Sequence, residues 1–502
     1  MATPTITPKT STSSVELTGS AKLQDVTRLM NELKEDLQEI KLLPHRMLIT
    51  CDRNIYLRSY LMKKIERDAY LEQVKVYGRD PTNADPIFMK EGIETLTRHA
   101  FNSPSLTTSR NALRCLANAM LLKPETRQML VDLGYMSKAC GKLKNDNRDD
   151  EFLVSRIIFI TTYGTTIDIA KLIDEDQLAE YVCQNIARQA KTIVKPKKPA
   201  DPMQDMALVE SLKLLFNLTH FCPQRKVAFS HALQHILVLI SKVPISLSKP
   251  MDPPVAQLVN ALINLDLKNK DNISTLFPKA TPNIFLDCLV DMLEKSTKVY
   301  SDSEIEQLVS PLLTLLRVMY EVAPEEVKVQ MRKVILPSNT DRDQPLGRAE
   351  TVPSRLLHLS TNPIIPQTRE AASSLLFELS DKDASKFVQN VGYGFASGFL
   401  FSHNVPLPAN TLEAGSTSSN ERASQDSQNL DGRINPITGQ FLDKEEKVEI
   451  DMTDEEKERE AERLFVLFER LKKTGIVDIQ NPVAQAFQEG RFEELPDDAE
   501  SD

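Results

Sequence analysis

A short leucine-rich pattern centred on an asparagine returns three times along the 502-residue chain. It reads ALRCLANAMLL at residues 112–122, SLKLLFNLTHF at 211–221 and QLVNALINLDL at 257–267. In each copy the apolar residues recur three and four positions apart, which is the period of one buried helix face. The copies lie roughly one to two armadillo or HEAT units apart, since such units run about 40–47 residues. The pattern therefore predicts an all-α protein built from helical repeats.

Repeats of this kind cannot bury their apolar faces alone, so they stack around one continuous core. We predict an armadillo/HEAT-like, right-handed superhelical solenoid over residues 21–400, where helical periodicity continues and alternating strand patterns are missing. The chain has only 15 glycines but 29 prolines. Few glycines suit helices, and prolines suit the short connections between them.

The asparagines of the repeated pattern, Asn118, Asn217 and Asn264, are candidate binding residues. A side-chain amide carries donors and an acceptor, so a ladder of amides along a concave groove could hold the backbone of a bound peptide. Alternatively, each asparagine satisfies hydrogen bonds within its own repeat. For one asparagine both interpretations stay open, but the threefold recurrence favours the groove.

The composition changes at both ends of the predicted solenoid. Residues 1–20 are rich in Ser, Thr and Pro, which predicts a disordered N-terminus. Residues 401–452 are rich in Ser, Asn and Pro, which predicts a flexible linker.

An amphipathic helix is predicted over residues 453–475. A capping box begins it at Thr453, Gly475 ends it, and its apolar stripe includes Leu464 and Phe468. An acidic tail, residues 476–502, follows. The tethered helix must dock, and its sequence leaves open whether it docks on the solenoid or on a partner.

The sequence contains two motifs that could indicate a nucleotide site or a metal site, but each lacks residues or secondary structure that such a site requires. The spacing of VGYGFASGF at residues 391–399 is one residue off the dinucleotide-binding fingerprint, and a helical pattern precedes it where a strand is required. His231 and His235 lie four apart but lack the intervening glutamate and a third ligand. We therefore expect no catalytic residues, no cofactor and no metal, and a protein that acts by binding.

The distribution of charge along the chain bears on the kind of partner that the protein binds. The net charge of −10 comes from acidic segments at 443–463 and 489–502, each −6, which leaves a nearly neutral body of +2. Such a body gives no support to nucleic-acid binding.

Six scattered cysteines predict reduced, mostly buried thiols. With no apolar run long enough to span or insert in a membrane, the expected compartment is the cytoplasm.

Several stretches in order resemble the synembryn family of chaperones and guanine nucleotide exchange factors for heterotrimeric G-protein α subunits (Gα). The most specific are VGYGFASGFL at 391–400 and INPITG at 434–439, followed by the predicted helix MTDEEKEREAERLFVLFERL at 452–471. RCLANAML, KLLFNLTHF and VKVYGRDP (74–81) match as well, so the resemblance runs from about residue 70 to 480. It implies an armadillo/HEAT superhelix that the Gly-Tyr-Gly stretch closes as a packing turn, without binding phosphate.

The resemblance also implies a site. The implied partner is a Gα subunit, GDP-bound or nucleotide-free, whose C-terminal helix lies in the concave groove of a monomeric solenoid. The groove residues carried over from the family are Lys75, Arg79, Asn118, Arg156, Asn217, Asn264 and Arg369. Lys75 stands where an arginine is usual, and a lysine cannot pair bidentately with a carboxylate.

Outside the groove, the resemblance implies that helix 453–474, with Leu464 and Phe468, reaches across to the nucleotide-binding domain of Gα. Phosphorylation by an acid-directed kinase is a further expectation, with Ser418 the best candidate because Glu421 follows three residues on. Gα would also recruit the protein to the cell cortex or plasma membrane.

The alternative is a generic armadillo scaffold or adaptor without exchange activity, such as a nuclear-import adaptor. Those adaptors pair the asparagine ladder with tryptophans, and this chain has no tryptophan. An enzyme comes third, since no catalytic constellation is visible.

Overall fold

The computed structural model describes residues 17–41, 53–194, 202–406, 434–435, 437–444, 459 and 463. The chain divides into two units, Met1–Asp443 and Lys444–Asp502, and nearly all described residues belong to the first. Ser418, Leu464 and Phe468 lie outside the described residues, as do the tail 476–502 and most of the predicted helix 453–475.

The described residues form 21 α-helices. The first eleven are α1 (Gly19–Lys41), α2 (Arg53–Tyr77), α3 (Asp85–Phe88), α4 (Lys90–Asn102), α5 (Leu106–Leu122), α6 (Glu125–Asp132), α7 (Met136–Lys142), α8 (Arg148–Thr161), α9 (Ile169–Asp174), α10 (Leu178–Val194) and α11 (Pro202–Phe221). The others are α12 (Ser230–Lys242), α13 (Val255–Asn264), α14 (Lys270–Leu276), α15 (Ile284–Val299), α16 (Asp302–Val322), α17 (Glu325–Ile335), α18 (Val352–Thr361), α19 (Pro366–Leu379), α20 (Ala384–Val391) and α21 (Tyr393–Ser402).

The described residues also form three short 3₁₀ turns, Pro223–Phe229, Thr340–Asp343 and Leu442–Lys444, and one antiparallel β-bridge between Ile434 and Phe441. Arg459 and Arg463 are helical as well.

Side-chain caps explain where several helices begin. Ser105 accepts a hydrogen bond from the backbone N–H three residues on, at the start of α5. Asn147 accepts two backbone N–H groups at the start of α8, at 2.9 and 3.3 Å. Ser301 and Glu304 form a capping box at the start of α16. Each cap satisfies backbone donors that a helix leaves without intrahelical partners.

Seven helices stack side by side and form what we call the inner row. They are α2, α5, α8, α11, α13, α16 and α19, and each packs on the next. A second row, α10, α12, α15 and α18, packs behind the later part of the inner row. Their apolar faces share one continuous core. The prediction of an all-α solenoid is confirmed, while its handedness and the domain bounds stay predictions.

The Gly-Tyr-Gly stretch joins two helices, since Gly392 lies between them and Tyr393 and Gly394 begin α21. Gly392 ends α20 and precedes α21 with φ of +81°, a conformation that glycine adopts without strain. The helix predicted to precede this glycine is confirmed, and the strand that a dinucleotide site requires is absent from the described residues around it.

The structure differs from the predicted linker 401–452 in one part. Residues 434–435 and 437–444 lie against the end of the solenoid, where the backbone N–H of Phe441 donates to the carbonyl of Arg342 at 2.9 Å. Amino-acid composition does not predict this contact, because the segment is held by backbone hydrogen bonds and by close packing at glycines. Few large apolar side chains take part in it.

The described residues contain neither a candidate membrane span nor a candidate metal site. No helix there is both long enough and apolar enough to span a bilayer. No group of three or more potential metal-ligating side chains comes together in those ranges. The five described cysteines are free thiols, and burial raises the pKa of Cys115, Cys140 and Cys183 to about 12.

Candidate partner-binding site

The three asparagines of the repeated pattern each donate a hydrogen bond to the preceding helix of the inner row. Asn118 on α5 donates to the carbonyl oxygen of Lys75 at 3.5 Å, and Asn264 on α13 donates to that of Phe216 at 3.3 Å. Asn217 on α11 donates to the hydroxyl of Thr162, just after α8, at 2.7 Å. The inner-row helices therefore run parallel, with their C-terminal ends side by side.

Asn217 does not fit the predicted role of a direct peptide contact. Its side chain is 2% exposed, and its amide oxygen accepts a hydrogen bond from the hydroxyl of Tyr163 at 3.2 Å. Both ends of the amide are thus engaged with the segment that follows α8. We interpret Asn217 as a residue that positions Tyr163, whereas Asn118 and Asn264 are only half-buried.

Lys75 and Arg79 lie at the N-terminal end of the inner row, close to Asn118. Lys75, in the last turn of α2, forms an ion pair with Glu72 on the same helix. Arg79 lies just beyond the end of α2 and is exposed. Asn118 and Lys75 are therefore in contact, as expected if both line the same groove. The side chain of Arg79 is exposed to solvent.

A buried lysine fixes the loop that carries Arg79. The Nζ of Lys22, on α1, donates to the carbonyl oxygens of Asp80 at 3.0 Å and Thr82 at 2.7 Å. Lys22 is 7% exposed, so these hydrogen bonds compensate the burial of its charge. The N-terminal helix therefore supports the basic end of the inner row.

Arg156, on α8, forms an ion pair with a buried carboxylate of the next inner helix. Its Nη1 lies 3.2 Å from Oε1 of Glu210, which also accepts from Nζ of Lys213 at 3.1 Å. Glu210 is 4% exposed, while Arg156 and Lys213 are 32% and 36% exposed. Two half-exposed cations thus share one buried anion, which leaves a net positive charge at this position.

An aromatic cluster at the centre of the inner row was not predicted. Phe159, Tyr163, Phe221 and His220 contact one another in sequence, with ring centroids 5.4, 5.9 and 5.0 Å apart. Tyr163 is 41% and Phe221 46% exposed. Contiguous exposed apolar patches often mark interaction sites, so this cluster is a candidate binding surface.

The sequence carried a signal for this cluster. Phe152, Arg156, Phe159 and Tyr163 follow one another at intervals of four, three and four, and all are half-buried or exposed. That spacing places Phe152, Arg156 and Phe159 on one face of α8 that the core does not cover, and Tyr163 follows two residues after the helix ends. We call the surface formed by the following exposed or half-buried side chains the inner face: Lys75, Arg79, Asn118, Phe152, Arg156, Phe159, Tyr163, His220, Phe221 and Asn264.

Arg369 does not join the other predicted residues. It is exposed in the first turns of α19, the last helix of the inner row, whereas the three asparagines lie near the C-terminal ends of their helices. There the carboxylate of Glu306 accepts the backbone N–H groups of Gln367 and Thr368, both at 2.9 Å. Burial favours a higher pKa for Glu306, but these hydrogen bonds hold its pKa below the usual value.

The inner face suits one type of ligand. Its centre is aromatic, its α2–α5 end carries Lys75 and Arg79, and half-buried amides lie on both sides. A helix with one apolar side matches such a surface, because its large side chains pack on the rings while its acidic groups face the cations.

Comparisons with known proteins agree on one family. The model of the family described as guanine nucleotide exchange factor synembryn matches residues 70–491. A synembryn-like chaperone of Schizosaccharomyces pombe is 29% identical over 361 residues, which cover 69% of this chain and 66% of that protein. The chaperone Ric-8A of Gallus gallus is 26% identical over 474 residues, which cover 83% of this chain and 84% of that protein.

Among solved structures, a designed armadillo repeat protein is 14% identical with a TM-score of 0.36, and the match covers 56% of this chain and 99% of the designed one.

Proposed function

The chain belongs to the family of the guanine nucleotide exchange factor synembryn, and on that basis we propose that it binds a heterotrimeric G-protein α subunit through the C-terminal helix of that subunit. The aromatic cluster around Tyr163 and Phe221 is the observation that carries this proposal. Rigid, half-exposed aromatic rings beside cations are the side chains most often found to dominate the energy of an interface.

In this proposal each group of inner-face residues makes a different kind of contact with Gα. Tyr163 and Phe221 would accept the apolar side of the Gα helix, and Arg79 with Lys75 would attract its acidic groups or terminal carboxylate. Asn118 and Asn264 would hydrogen-bond to polar groups of the helix that face them. Arg156 contributes charge, while Arg369, at the other end of its helix, would contact a different part of Gα.

Exchange follows from such binding by linkage. If the protein binds nucleotide-free Gα more tightly than the GDP-bound form, it must weaken GDP binding by the same factor. Holding the C-terminal helix away from the Gα core would disturb the guanine pocket beside it. A nucleotide-free Gα is prone to unfold, so binding that state also makes the protein a folding chaperone by mass action.

Three further parts of the proposal concern regions beyond the inner face. We propose that helix 453–475, with Leu464 and Phe468, adds a second contact to Gα, and that phosphorylation at Ser418 regulates the protein. We also propose that it works as a cytoplasmic monomer, recruited to the cell cortex or plasma membrane by Gα.

Release of GDP from purified Gα tests the proposal, with and without the full chain, beside a Gα that lacks its last several residues. We expect faster release only with the intact tail. Tight binding without faster release would leave a chaperone. No binding to either Gα would overturn the proposal and favour a scaffold for other ligands.

A further inference from the structure

A buried arginine joins three segments that are far apart in sequence. Arg342, 6% exposed, lies in the 3₁₀ turn Thr340–Asp343. Its Nη1 donates to the carbonyl oxygen of Gly439 at 2.8 Å, and its Nη2 donates to those of Gln389 and Asn390 at 3.1 and 2.9 Å. One guanidinium therefore holds the end of α20 and a loop 97 residues away in sequence.

Two glycines allow the backbones to meet. A Cβ on Gly392 would lie 3.1 Å from the carbonyl oxygen of Ile437, and a Cβ on Gly439 would lie 2.3 Å from Cδ1 of Leu346. Both glycines have positive φ, +81° and +68°. The two most specific motifs of the sequence, VGYGFASGFL and INPITG, thus pack against each other.

Backbone hydrogen bonds fasten the same loop to the solenoid. The N–H of Phe441 donates to the carbonyl oxygen of Arg342 at 2.9 Å, and the N–H of Leu346 donates to that of Thr438 at 3.1 Å. Donors thus come from both sides, as in a short two-stranded pairing. We call residues 434–435 and 437–444 the clasp.

We propose that the clasp is the terminal cap of the solenoid and the anchor of the C-terminal arm, residues 444–502. The clasp then fixes the chain on both sides of residues 407–433, and the arm extends from the clasp, not from Val405. A solenoid needs such a cap, because its last repeat has no neighbour to cover it.

The anchor changes how far the arm can reach. From Val405 to Thr453 is 48 residues, and from Lys444 to Thr453 is 9. A fully extended chain spans at most about 3.4 Å per residue, so the maximum reach falls from about 160 Å to about 30 Å. The clasp therefore raises the effective concentration of residues 453–475 near anything the solenoid holds.

Hydrogen exchange of the full chain tests the clasp directly. We expect slow exchange of the amides of Gly439, Phe441 and Leu346, and fast exchange of all three in Gly439→Val, with the amides of α8 unchanged. Gly134→Val is the matched control, since Gly134 also has positive φ but a Cβ there meets no atom within 4 Å. Unprotected amides in residues 437–443 of the unaltered chain would overturn the proposal.

Arg342→Met checks the role of the guanidinium. The substitution keeps an unbranched side chain and removes the three hydrogen bonds to carbonyls. We expect it to release the clasp like Gly439→Val. If the clasp amides stay protected in Arg342→Met while α8 remains folded, the arginine is not the anchor.

A second experiment rests on the proposed function and asks whether the anchor matters for it. Twenty Gly/Ser residues are inserted either after residue 420 or after residue 448. The effective concentration of a tethered group falls roughly as the three-halves power of connector length, so the second insertion lowers it about sixfold. We expect slower GDP release from Gα for the second insertion only.

In Gly439→Val the two insertions should act alike, because both then lengthen the same connector. Equal effects of the two insertions in the unaltered chain would contradict the anchor. The exchange measurement needs no Gα, so failure of the proposed function and failure of the clasp give different results.

Discussion

At the scale of single residues, buried polar side chains tie neighbouring helices together. Glu151 on α8 is 2% exposed and accepts from the hydroxyl of Ser211 on α11 at 2.9 Å, and burial raises its pKa. His99 on α4 is fully buried, and its Nε2 lies 2.9 Å from the carbonyl oxygen of Leu33 on α1. A carbonyl only accepts, so Nε2 carries a proton and donates it to Leu33.

His99 predicts an acid-sensitive contact between α1 and α4. Burial lowers the pKa of His99 more than the hydrogen bond to Leu33 and the charges of Asp36 and Asp68 raise it, and Arg67 lowers it further. A depressed histidine pKa means that stability is present above the unfolded value of about 6.5 and is lost as pH falls through the folded pKa. One such group changes the unfolding free energy by at most about 1.4 kcal/mol per pH unit.

The matched variant is His99→Gln, whose amide can still donate to Leu33 but does not titrate. Urea unfolding followed from pH 7.5 to 5 should show a steeper loss of stability in the unaltered protein than in the variant. Parallel pH profiles would mean that His99 is not the titrating group.

At the scale of helices, the recurring asparagines hold the inner row in register. The bonds of Asn118, Asn217 and Asn264 join helices 43 to 55 residues apart in sequence. The sequence predicts which residues recur, because each helix repeats the same periodicity. It does not predict their acceptors, because those depend on which helix end lies alongside.

Removing the hydrogen bonds of Asn264 and Asn217 should lower the free energy of unfolding by different amounts. Asn264→Ala removes one hydrogen bond at a half-exposed site and should cost about 1 kcal/mol. Asn217→Ala removes two hydrogen bonds at a buried site, those with Thr162 and Tyr163, and should cost about 2–3 kcal/mol. Asn145→Ala, at an exposed position, is the control and should change stability by less than about 0.5 kcal/mol.

The unfolding midpoint in urea measures all three variants. A cost for Asn217→Ala no larger than that for Asn145→Ala would contradict the interpretation of Asn217 as an interhelix bond that positions Tyr163.

At the scale of the molecule, local sequence predicts the solenoid well and its closure poorly. Helical periodicity and caps such as Ser105 are local signals, so the helices of the inner row could be predicted. The contact of Arg342 with Gly439 spans 97 residues, and no local property of INPITG reports it. The aromatic cluster is partly predictable. The spacing of the aromatic residues in and after α8 is a local signal, but the contact of Tyr163 with Phe221 is tertiary and cannot be read from that spacing.

The central claim is that the inner face holds the C-terminal helix of Gα. Fluorescence anisotropy of a labelled peptide with the last residues of Gα tests it, titrated with the full chain and with Tyr163→Ala, Phe221→Ala and Leu247→Ala. Leu247 is the control, since it is 75% exposed and lies outside the inner face.

We expect saturable binding that weakens at least about tenfold in Tyr163→Ala and in Phe221→Ala, and stays unchanged in Leu247→Ala. Both aromatic side chains are partly exposed, so these variants should keep the helical circular dichroism of the unaltered protein. Absence of peptide binding, or binding that the two aromatic substitutions leave unchanged, would contradict the claim.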